Sequence, residues 1–199
     1  MSDERRGSQF SARGCRQSSQ APVQKYRCSS KAKAFIVQIV AQYLQLETQN
    51  RSDVMERDLF GRSAFNRYYY ATFLEVKKGL GSLKTEWATM AHAGVPEVLR
   101  GTVQRELKQG MRKAQKLSDS DVVSLCERAK SAVLDLADLM ERGYAIRVAA
   151  DYHPEISVDF SDGPNFKLNT VAVRDARTWP SRAEVFMAVI VSAWKQVHA

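Results

Sequence analysis

At 199 residues, 44% hydrophobic and 26% charged, the chain has the size and composition of one soluble domain with a substantial core. Cys15, Cys28 and Cys126 form no C-x-x-C pair, and the longest apolar stretch, 183–194, is interrupted by Glu184 and Ser192. These features argue against a disulfide framework, a zinc site and a bilayer span, and point to a reducing, cytoplasmic setting.

The net charge of +8 is unevenly placed. Residues 1–33 hold eight basic groups (Arg5, Arg6, Arg13, Arg16, Lys25, Arg27, Lys31 and Lys33) against Asp3 and Glu4, which leaves only +2 for the remainder. This segment is rich in Ser, Gln and Arg, lacks an apolar signal core, and is too polar to offset its ordering entropy. It reads as a disordered basic tail, either an arm for nucleic acid or an acidic partner, or a solvated extension. Residues 34–199 then form the folded unit.

The punctuation beyond the tail is helical. A first helix is expected from residue 30 to about 47, with Phe35, Ile39, Val40, Tyr43 and Leu46 on one face. Breakers at 50–53 follow, with Ser52 and Glu56 spaced for a capping box. A second helix runs over 53–80, ended by the G-L-G at 79–81. Its stripe of Phe65, Tyr69, Thr72, Phe73, Val76 and Leu80 spans about 100° and faces the core. A shorter helix starts near Pro96.

S-D-S-D at 118–121 caps a third long helix, whose stripe contains Val122, Leu125, Ala129, Ala132, Val133, Leu136, Leu139 and Met140. Pro154 ends this helix near Tyr152. A loop or short extended piece follows over 154–166, and a last helical region over 168–197 is interrupted or bent at Pro180. The fold class is therefore all-α, an antiparallel bundle of four to five helices.

Phosphate-loop, dinucleotide, zincin and nucleophile-elbow signatures are absent, and His92, His153 and His198 do not cluster. No cofactor and no metal are expected. R-E-L-K-Q-G-M-R-K-A-Q-K, residues 105–116, is the most basic stretch of the body. Arg105, Lys108, Arg112 and Lys113 could follow phosphates there, or simply form a solvated face. Tyr68, Tyr69 and Tyr70 could stack on bases. Tyr69 lies on the core stripe, while Tyr68 and Tyr70 point to either side of it and Arg67 points away from it. His92, between alanines, reads as a packed loop histidine.

R-S-A-F-N-R-Y-Y-Y-A-T-F, residues 62–73, resembles the S-R-A-Y-Y-A-x-F-H helix of HEPN (higher eukaryotes and prokaryotes nucleotide-binding) proteins, with Arg67, Tyr69, Ala71 and Phe73 on matching positions. M-A-H-A-G-V-P-E-V-L-R-G at 90–101 and R-V-A-A-D-Y at 147–152 resemble two further segments of that family, in the same order. The resemblance implies a helical bundle, commonly a homodimer. It also implies a role in a prokaryotic toxin–antitoxin or antiviral system with a cognate protein partner. Many such proteins are metal-independent ribonucleases, and others are inactive binding or scaffold subunits. Their active site is an Arg followed after four to six residues by a His, which Arg147 and His153 satisfy with five between. The 2′-OH would attack the adjacent phosphate, with His153 moving protons and Arg147 stabilising the phosphorane.

Two positions depart from that pattern. Val148 stands where a polar residue usually follows the Arg, and Leu74 stands where a His usually follows the Phe. The pair also has a plain structural reading: Arg147 and Asp151 are spaced for a surface ion pair, and His153 would complement the helix dipole. Enzyme and interaction subunit both stay open at this point.

Overall fold

The computed structural model describes residues 30–199. The described part contains five long helices and one short one: α1 (Ser30–Asn50), α2 (Val54–Leu83), α3 (Gly94–Val98), α4 (Gln104–Lys116), α5 (Ser120–Tyr152) and α6 (Val173–Val197). The all-α bundle expected from periodicity is the observed fold. The basic segment lies outside the described residues up to residue 29. Its last four residues, 30–33, are the first turn of α1 rather than tail.

The core stripe of α2 is as the periodicity requires: Phe65, Tyr69, Thr72, Phe73, Val76 and Leu80 are all buried. They pack against Val133, Leu136 and Met140 of α5 and Met187, Ile190 and Trp194 of α6 in one continuous core. Its cap is Asp53, not Ser52, because the Asp53 carboxylate accepts the Glu56 amide at 2.9 Å. Nor does G-L-G end the helix. A Cβ at Gly79 would stand 2.4 Å from Met187 Cε, so glycine there permits the close approach of α6.

Asp119 caps α5, accepting the Val122 amide at 3.0 Å, and the helix ends at Tyr152 as expected. Two expectations for the C-terminal third need correction. Lys167–Leu168 and Val171–Ala172 are not helical. With Val158–Asp159 they form a small antiparallel sheet, β1 to β3, with Leu168 and Val171 buried under it. Pro180 does not break α6 either. Trp179, Pro180 and Ala183 are buried along the seam with the other helices, and that packing outweighs the lost backbone bond.

The apolar stripe foreseen on α1 exists but faces outward. The inner face is built from Ala34, Ala41 and Thr48, spaced by seven, whose small side chains let α1 lie close on α2. No helix among the described residues is long and apolar enough to cross a membrane.

Candidate functional site at the end of α5

The last turn of α5 is anchored from α2. Arg62 is buried, and its Nη1 donates to the carbonyls of Ala149 (3.1 Å) and His153 (3.1 Å). Its Nη2 donates to Pro154 (3.2 Å) and to Ile156, while Nε pairs with Asp58. The carbonyls of Ala149 and His153 also take the amides of His153 and Ile156, so the guanidinium adds donors to the helix end and complements its dipole at once. The other oxygen of Asp58 accepts the Val158 amide at 2.7 Å, and one turn on, Asn66 donates to Asp151. Asp58, Arg62 and Asn66, four apart, thus form a polar ridge that holds 149–158 in place.

On this support His153 is the C-cap of α5, with its ring in solvent. Its Nδ1 lies 2.8 Å from Glu155 Oε1. A carboxylate only accepts, so Nδ1 carries the proton and Nε2 is left as the free nitrogen. The Glu155 carboxyl is held below its ordinary range by its own backbone N–H and by His153. It is Arg62, rather than the His153 ring, that answers the α5 dipole.

Arg147 is engaged on its own helix. Its Nε meets Asp151 Oδ2 at 3.0 Å, the expected ion pair, and its guanidinium lies 5.0 Å from the centre of the Tyr152 ring. No hydrogen bond or ion pair joins it to His153 within the described residues. It stands closer in effect to a different corner, where its charge acts on Tyr69 and His92.

That corner gathers the three segments that carry the family resemblance. Tyr69 Oη and His92 Nδ1 are 3.0 Å apart, the His92 ring stacks on Phe73 at 3.6 Å, and Tyr144 lies beside Tyr69. Burial, then Arg147 and Lys77, push the His92 imidazole below its ordinary value. Burial likewise raises the Tyr69 phenol. His92 is a packed histidine, as read from its neighbours.

The nucleic-acid candidates separate. Tyr68 is fully buried, its hydroxyl donating to Gln45 at 2.6 Å and its pKa pushed up to about 12 by burial, so it offers no face to a base. Tyr70 remains exposed beside Phe73 and His92. Arg67 is exposed and, with Asn66 and Asp151, borders a recess of about 310 Å³. Arg105 and Lys108 line a cleft of about 460 Å³ with Arg100, Gln104 and Lys130, at the π-helical turn Leu99–Val103 that joins α3 to α4. Arg100 is neutralised by Asp138 and Glu141. Arg105, Lys108, Arg112 and Lys113 are exposed and make no ion pair with a described residue.

By the end of α5, a groove of about 650 Å³ is lined by Val54, Met55, Leu59 and Phe160 on an apolar wall and by Asp151 and Pro154 near the helix end. Among the described residues no group of three His, Cys, Asp or Glu side chains could hold a metal ion. The chain matches no family model, no curated protein and no solved structure.

The sequence reading missed Arg62, Asp58 and Glu155. Asp58 and Arg62 had a readable signal in their i, i+4 spacing, but burial turns that pair into an anchor. Glu155 sits two residues after His153 across Pro154, close enough in sequence for a turn to bring them together.

Proposed function

We propose that this chain is an HEPN-like protein of a prokaryotic toxin–antitoxin or antiviral system that cuts RNA without a metal, with His153 as the general acid/base. The observation that carries this reading is the His153–Glu155 contact: a solvent-facing imidazole, oriented through Nδ1, with Nε2 free, on backbone pinned by Arg62. His153 Nε2 takes the proton of a ribose 2′-OH, and that oxygen attacks the adjacent phosphorus. The 5′-oxygen leaves with a proton from an imidazolium, giving a 2′,3′-cyclic phosphate and a 5′-OH end. Arg147 steadies the phosphorane charge. Because Arg147 is engaged with Asp151 and Tyr152 and has no contact with His153 of its own chain among the described residues, the composite site draws Arg and His from two chains of a homodimer. The groove by the end of α5 takes a nucleobase against Met55 and Leu59, and the Arg105–Lys108 cleft follows the phosphates.

A mixed RNA pool incubated in EDTA tests the reading. The wild type should cut it to cyclic-phosphate ends, while His153→Ala and Arg147→Ala should remain folded and inactive. Cleavage that survives His153→Ala rejects the role given to this residue.

A second reading is favoured by a specific observation, the uncovered apolar face of α1. In it the chain is a non-catalytic subunit that docks on a cognate partner, and RNA processing is indifferent to His153.

A further inference from the structure

Helix α1 has two unlike faces. Ala34, Ala41 and Thr48 are buried against the bundle, whereas Phe35, Ile36, Ile39, Val40, Tyr43 and Leu46 are between 41% and 67% exposed. At ~100° per residue these six fall in one arc of about 140°. No charged residue occurs anywhere between Lys33 and Glu47. Isolated exposed apolar residues are common, but a contiguous stripe of this kind marks an interaction surface.

Three occupants compete for it. Residues 1–29 contain few large apolar side chains (Met1, Phe10, Val23 and Tyr26) among many Arg, Ser and Gln, so they cannot match the stripe. A membrane-surface helix carries Lys and Arg along its polar flanks, whereas α1 has Gln38, Gln42, Gln45 and Gln49. A second α1 fits both length and chemistry. The six side chains expose on the order of 600 Å² of apolar surface, given about 150–250 Å² for a large side chain. Doubled across a twofold axis, this reaches roughly 1,200 Å², the lower bound for a stable interface.

The ends of the stripe choose the direction. Parallel pairing sets Lys33 beside Lys33 of the second copy, with the Arg51-paired Glu47 beside its twin. Antiparallel pairing brings the Lys33 end to the Glu47 end and sets Phe35 against Leu46, with Ile39 and Val40 near the axis. We infer that two copies of this chain associate through α1 against α1, antiparallel, about a twofold axis near residues 39–40. This inference does not rest on catalysis by His153, and a dimer without nuclease activity would leave it intact.

Sedimentation of the full chain at micromolar concentration should give a dimer. Ile39→Asp and Tyr43→Glu, both at exposed positions, should weaken it about 100-fold with unchanged helix content, since each places a charge in the apolar seam. A monomeric wild type overturns the inference, whether another protein or residues 1–29 cover the face, and so does a dimer indifferent to both variants. Direction is read in a Cys15→Ser, Cys28→Ser background. Ile39→Cys should form a covalent dimer on oxidation and Leu46→Cys should not. A covalent dimer from Leu46→Cys overturns the antiparallel arrangement.

Discussion

His92 and His153 occupy opposite environments. His92 is wedged against Phe73, shares a hydrogen bond with Tyr69 and lies in the field of Arg147 and Lys77. His153 has no ring of a described residue stacked on it, projects into solvent, and is oriented by a carboxylate that leaves its second nitrogen open. His92 sits in one of the segments that resemble the HEPN family, and His153 directly follows another. What separates the two is the surroundings of each imidazole: the first shares Nδ1 with Tyr69 and one face with Phe73, while the second is held by Glu155 and faces solvent.

The largest effect should come from what holds the second histidine. Arg62→Met removes side-chain donors to five carbonyls at and just beyond the end of α5 and leaves Asp58 with the Val158 amide alone. It should cost about 3 kcal/mol by denaturant unfolding. It should also free the 149–158 segment, read as faster amide exchange there. An unchanged unfolding midpoint would show that the anchor contributes little.

Glu155→Gln should be gentler. Glu155 is exposed, so stability should hold; with His153 as the proposed general base, kcat should fall about tenfold at unchanged KM, because the imidazole loses orientation but not contact. Full activity in this variant would mean that the His153–Glu155 contact is incidental.

Arg105→Gln and Lys108→Gln address the cleft between α4 and α5. Each should weaken RNA binding a few-fold and reduce the slope of log K against log salt by about one, with the chemical step unaltered. An unchanged slope would place the RNA elsewhere.

The smallest effect concerns His92 and pH. Its imidazole is depressed in the folded state relative to about 6.5 in the unfolded chain, so the unfolded chain binds the proton first as pH falls. The stability this contributes is complete above about pH 6.5 and is lost as pH drops through the folded value. His92→Gln should therefore flatten the dependence of Tm on pH below about 6.5.

The helices were legible because burial imposes a period on α2 and α5 that composition cannot hide, and because Asp119 and Pro154 mark the ends of α5. The α1 stripe was legible as a stripe, but periodicity does not say which side is covered. There the bundle accepts the alanine and threonine side, because small residues permit close approach. Tyr68 was misjudged for a related reason: α1 covers the flank of α2 where Tyr68 emerges, and Gln45 satisfies its hydroxyl. Arg147 and His153 were visible by spacing, whereas Arg62 and Glu155, which decide how the end of α5 is presented, act through contacts that exist only in the folded chain.

The central claim is that His153, not His92, is the histidine available for proton transfer. The most direct measurement assays His153→Gln and His92→Gln side by side for RNA cleavage in EDTA and for Tm across pH. The account predicts that His153→Gln loses cleavage at wild-type Tm, whereas His92→Gln still cuts RNA and shows a flatter dependence of Tm on pH. Cleavage lost in His92→Gln and retained in His153→Gln would contradict it.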